Sequence, residues 1–88
     1  MVNAFVLINI NDNSPRELAK CLLSVEGVTE VYPIAGEYDL LAVVRVADNA
    51  KLSHIVTEEI FHKDGVRHTK TLFALDCFSK VDLTEVFS

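Results

Sequence analysis

Apolar residues fall along the chain in four dense runs, with two stretches of helical spacing between them. The first run, Ala4-Phe5-Val6-Leu7-Ile8-Asn9-Ile10, is apolar at nearly every position. The second is Val28-Thr29-Glu30-Val31-Tyr32-Pro33-Ile34, and the third is Leu40-Leu41-Ala42-Val43-Val44-Arg45-Val46. The fourth extends from Val66 to Phe78. The second and third are short and rich in β-branched and apolar residues, which predicts strands, the first is a further strand, and the fourth reads as a long extended strand. Between the first two, Leu18, Leu22 and Val25 share one face of a helix, and between the last two Leu52, Ile55, Val56 and Ile60 do the same. Asn11-Asp12-Asn13 breaks the first strand, and Ser14-Pro15-Arg16-Glu17 reads as a capping box with proline in the first turn. Gly27 closes the first helix. Asp48 or Asn49 caps the second, which carries His62 and Lys63 in its last turn and stops at Gly65. Pro33 has no N–H for a ladder, so the second strand belongs at a sheet edge. Residues 82 to 87 read as one helical turn or a docking tail.

The chain repeats itself. Glu26-Gly27-Val28 and Asp64-Gly65-Val66 occupy the same helix-to-strand joint in each half. Two strand–helix–strand units in tandem predict an α+β fold of ferredoxin-like βαββαβ order. That is a four-stranded antiparallel sheet with both helices on one face, in a single domain spanning 1–88. The strands are apolar on both sides. Leu40, Ala42, Val44 and Val46 oppose Leu41 and Val43, and Phe5 and Leu7 oppose Val6 and Ile8. A half-solvated sheet alternates more cleanly, so the open face reads as an interface.

Composition sharpens this. Half of the 88 residues are hydrophobic, while a chain of this size hides only about 60–65% of its unfolded surface. A second copy of the chain is the economical cover for the excess. The formal charge of −5 argues against direct DNA binding, which draws on Lys and Arg. No apolar run approaches the ~20 residues of a membrane span, and no secretory signal is visible. Cys21 and Cys77 are too few for a disulfide scaffold, so a reducing cytoplasm is expected.

The stretch Gly36-Glu37-Tyr38-Asp39 must turn the chain between the second and third strands. Glycine frees the backbone for a tight turn, and Asp39 sits at a strand mouth. There it either caps the turn or grips a polar ligand. Thr69 and Thr71 alternate with His68 and Lys70, so both hydroxyls share one face with Phe73. Paired hydroxyls can bond a small zwitterion beside apolar contacts from Phe73 or Val66, although threonine is also a common strand residue. His54, Glu58 and His62 recur at i,i+4 spacing, but no fourth metal ligand accompanies them, so no metal and no cofactor are expected. Cys21, near the apolar face of the first helix, reads as a buried structural thiol. Ser53 and His54 are adjacent in sequence, which is not triad geometry, and there is no phosphate-cradling glycine loop.

The Gly-Val joints, Gly36-Glu37-Tyr38-Asp39-Leu40, Gly65-Val66 and Thr69-Lys70-Thr71 together resemble the effector-binding (RAM) domain of the Lrp/AsnC transcription regulators. The resemblance covers nearly the whole chain. It implies a dimeric α+β barrel joined through its sheets, with dimers assembling into rings, often octamers. It also implies amino-acid binding between dimers, at a pocket carried over to Gly36, Tyr38 and Asp39 from the loop and Thr69 and Thr71 from the strand. Such regulators carry an N-terminal helix-turn-helix. This sequence begins almost at the effector domain, so it reads as a stand-alone version that co-assembles with full-length regulators. The alternative is a small dimeric α+β barrel enzyme, monooxygenase- or isomerase-like, with His54, His62 or His68 as base. No acid–base constellation converges in the sequence, which favours binding without catalysis.

Overall fold

The computed structural model describes residues 1–11, 14–78 and 80. Strand β1 (Val2–Ile10) leads to helix α1 (Pro15–Leu23), then to β2 (Val28–Pro33) and β3 (Leu40–Val46). Helix α2 (Asn49–His54) continues as a π-helical segment, Ile55–Ile60, before β4 (Val66–Phe73). The sheet order is β2-β3-β1-β4, with every neighbouring pair antiparallel. This is the four-stranded antiparallel α+β architecture that the apolar pattern implied. The fourth strand ends earlier than the predicted extended run, at Phe73 and not Phe78; Phe73 faces Ala4, and just beyond it Ala74 N donates to the Asn3 carbonyl at 3.0 Å. Residues 82–87 lie outside the described residues.

The core follows from the period of two along the strands. Ala4, Val6 and Ile8 of β1 and Leu40, Ala42, Val44 and Val46 of β3 point under the helices and are buried. Leu18 and Leu22 of α1, with Leu52, Ile55 and Ile60 of the second helical stretch, close over them. Asp48 caps α2 through its side chain, accepting from the Lys51 N–H at 2.8 Å. Ser14 stands at the N-cap of α1, but its side chain makes no capping bond. Only its carbonyl engages, accepting from Leu18 N at 3.1 Å. Cys21 is exposed, contrary to expectation. It lies on the flank of the Leu18–Leu22 stripe, turned past the edge of what the sheet covers.

Gly27 and Gly65 repeat one another in conformation, with φ of 97° and 95°. The Gly27 carbonyl accepts from Arg45 N at 2.8 Å, fixing the joint to the end of β3. A side chain at Gly27 would stand 2.9 Å from Ile55 Cδ1 and from Val46 Cγ1, so helix and strand close over bare backbone. Pro33 does fall on an edge strand, and β2 is further interrupted by a register shift between Val28 and Glu30.

The face away from the helices carries Phe5, Leu7, Leu41, Val43, Tyr32 and Leu72. Phe5 pairs with Val43 on one side and Leu72 on the other. Phe5 is 37% exposed, Leu72 44% and Tyr32 46%. Asn3 on the same face has a buried Oδ1 with no partner among the described residues.

Candidate functional site

The β2–β3 connection is tied down at its C-terminal end by Asp39. The Asp39 N–H donates to the Ile8 carbonyl and the Asp39 carbonyl accepts from Ile34 N, each at 2.9 Å. Its carboxylate Oδ2 accepts from Ile10 N, also at 2.9 Å. Asp39 therefore caps the end of β1 as well as the turn, and one carboxylate oxygen is engaged in that work. Gly36 has φ 145°, a conformation L side chains rarely adopt, and the space around its missing Cβ is open. The neighbouring Tyr38 reaches across β1 and stacks on His68, with ring centroids 6.4 Å apart and planes at 23°.

Thr69 and Thr71 lie opposite Ile8 and Val6 of β1. Both of those β1 side chains are buried beneath the helices, so the two threonines share the helix side of the sheet with Phe73. His68, and with it Tyr38, belongs to the opposite side. The structure thus places Tyr38 across the sheet from Thr69 and Thr71, with Gly36 and Asp39 beside Tyr38 in the β2–β3 connection.

The threonine group lines a groove between β4 and the second helical stretch. One part, about 190 Å³, is walled by Leu52, Ser53, Val56, Thr57, Thr71 and Phe73 together with Asn49. The other, about 280 Å³, is walled by Val56, Thr57, Phe61 and Thr69. Among the described residues, no charged side chain lines either part. The π-helical segment shapes this groove. Phe61 N donates to the Val56 carbonyl at 3.1 Å, a five-residue closure that carries Val56 and Thr57 into both parts. Thr57 Oγ1 donates to the Ser53 carbonyl at 2.7 Å.

Ser53, Val56, Thr57, Phe61 and His68 are the residues that sequence reasoning left out of the site. The apolar spacing 52-55-56-60 fits an α-helix as well as a π-segment, so nothing local signalled them. The same change of pitch breaks the i,i+4 row of His54, Glu58 and His62. No group of three or more such side chains among the described residues could hold a metal ion.

On the open face, the Tyr32 hydroxyl donates to the Glu30 carboxylate. That bond, and then the charge of Glu30, raise the phenol above its usual range.

A compact antiparallel sheet with a pinned glycine loop at one end and a hydroxyl-lined groove along one edge defines a small α+β domain of the ligand-binding kind. The model of the Lrp/AsnC ligand binding domain matches residues 3–81, and the chain belongs to that family. An uncharacterized HTH-type transcriptional regulator of Pyrococcus abyssi is 36% identical over 76 residues, which are 83% of this chain and 51% of the regulator. The chain thus spans about half the length of the curated relatives it matches. A crystal structure of a Thermus thermophilus protein is 38% identical with a TM-score of 0.83, covering 91% of this chain and 100% of that one. The feast or famine regulatory protein of M. tuberculosis, solved with L-methionine, is 28% identical with a TM-score of 0.74. It covers 91% of this chain and 54% of that one. Among the described residues no helix is long and apolar enough to cross a membrane.

Proposed function

We propose that this chain is an oligomeric amino-acid-binding module of transcriptional regulation, acting by binding and not by catalysis. The observation that carries the reading is the placement of Tyr38, beside His68, on the side of the sheet opposite Thr69 and Thr71. One chain cannot wrap both groups round one small ligand, whereas a neighbouring copy can bring its loop to the groove of the first. The glycine loop offers unblocked backbone N–H groups to a carboxylate. The second carboxylate oxygen of Asp39 suits an ammonium group, and the uncharged groove suits a side chain. The M. tuberculosis relative holding L-methionine supports the ligand class.

The chain works in the cytoplasm as a dimer through its open sheet faces, with dimers joined in a ring such as an octamer. It reaches promoters by co-assembly with full-length family regulators, since its charge of −5 opposes DNA binding of its own. The enzymatic alternative has no observation in its favour. His54 and His62 are exposed, and His68 is stacked under Tyr38.

A thermal-shift screen against the twenty amino acids tests the proposal. A ligand at 100 times its dissociation constant adds about 2.7 kcal/mol of stability. Thr69→Val and Thr71→Val should weaken binding of the amino acid found, while leaving the melting temperature without ligand nearly unchanged. A screen with no stabilising amino acid would refute the ligand class.

A further inference from the structure

We infer that His68 is a positioning residue: its ring is the platform that holds Tyr38, and through Tyr38 the Gly36–Asp39 loop, in place over the end of the sheet. The inference rests on the proposed role of that loop in ligand binding, and it assigns a part to a side chain outside the loop. The loop has two fastenings. Asp39 fixes its C-terminal end to β1 through Ile8 and Ile10. The middle of the loop is fixed by the near-parallel stack of Tyr38 on His68, 6.4 Å between centroids. At Gly36, two residues before Tyr38, the space a side chain would occupy is open. Among the described residues, no hydrogen bond or other ring contact fixes the connection between Ile34 and Asp39.

The placement of His68 also has a reason in the fold. It pairs with Asn9 on β1, where the register of β1 against β4 shifts between Asn9 and Ile10. It is the neighbour in sequence of Thr69. A movement of β4 that repositions Thr69 on one side of the sheet therefore carries the platform of Tyr38 on the other. His68 joins the two groups of candidate residues within one chain, although neither group touches the other's ligand surface.

The test uses the full chain with His68→Ala, His68→Phe and Tyr38→Ala. The first readout needs no ligand: amide exchange at Asp39 and Ile10, whose N–H groups make the fastening bonds. An aromatic pair of this kind corresponds to about a two- to tenfold change in an equilibrium. Exchange at both amides should accelerate by that factor in His68→Ala and return to the wild-type rate in His68→Phe. It should not accelerate further when His68→Ala is added to Tyr38→Ala. A melting curve for each variant separates this local effect from general unfolding. The second readout is calorimetric titration with L-methionine, where His68→Ala should weaken binding by a similar factor and His68→Phe should restore it. Unchanged exchange in a folded His68→Ala overturns the inference. So does faster exchange with unchanged L-methionine affinity. If the wild type binds no amino acid, the proposed function falls, and the exchange readout still decides whether His68 holds the loop.

Discussion

Asp39 performs a structural task that its neighbours in sequence do not reveal, because its partner Ile10 lies 29 residues away. The sequence left open whether it caps or binds, and the bond to Ile10 N establishes the cap. Asp39→Ala leaves that N–H without an acceptor, a loss of about 1–3 kcal/mol. In a domain of this size each kcal/mol lowers the melting temperature by roughly 4–8 °C. Asp39→Asn keeps an acceptor oxygen and should restore most of the stability while removing the charge. If Asp39 also grips an ammonium group, Asp39→Asn melts near the wild type but binds the amino acid more weakly. An Asn variant that melts as low as the Ala variant would show that the Ile10 bond needs the charge. On the open face, the Glu30 bond to Tyr32 favours the neutral phenol, so its contribution to stability is present below the ordinary phenol range, near 10.0. It is lost as pH rises through the raised value, and the contact of Tyr32 with solvent keeps it small. In a Tyr38→Phe background, difference absorbance should place the Tyr32 midpoint above that range and lower it in Glu30→Gln. Equal midpoints would refute the coupling.

Among the elements, the strands and their faces were legible because a period of two needs only a few residues to declare itself. Ala4, Val6 and Ile8 against Phe5 and Leu7 already separate the helix side from the open side. The repeated Gly-Val joints were legible for a similar reason, since Gly27 and Gly65 adopt the same backbone conformation. The π-segment was not, because Leu52, Ile55 and Ile60 become buried under either pitch. The groove and its Val56 and Thr57 were therefore hidden, whereas Thr69, Thr71 and Phe73 on the opposite wall could be placed on one face from alternation alone. The glycines provide a test at this scale. Gly27→Ala combines a positive φ, worth about 1–2 kcal/mol, with crowding of Ile55 and Val46. Gly36→Ala strains the backbone in open space. Denaturant midpoints should fall in both, and further for Gly27→Ala, with slopes unchanged. The reverse order would indicate that Ile55 and Val46 yield without cost.

For the whole molecule, the open face is where the proposed assembly is tested. Phe5, Leu41, Tyr32 and Leu72 leave apolar area that a monomer would keep in water, at about 25 cal/mol per Å². Leu72 is 44% exposed in the single chain, so it can be altered without disturbing the core. Leu72→Glu should give a folded protein of lower mass in light scattering. Val43, only 6% exposed, would confuse dissociation with unfolding. A wild type that is already monomeric at micromolar concentration would show that the face is left bare. The face was visible in the sequence as a surplus of apolar residues. The cross-sheet separation of loop and threonines was not, since it depends on which strands become neighbours.

The two borders of the sheet are unequal. β2 ends at Pro33, whereas β4 presents eight residues without proline or glycine. A body with two adhesive borders adds copies without limit and grows into fibres, but a body with one is exhausted after a single union. If two chains meet along β4, each leaves only its proline-blunted border outward, and growth in the plane of the sheet stops at the pair.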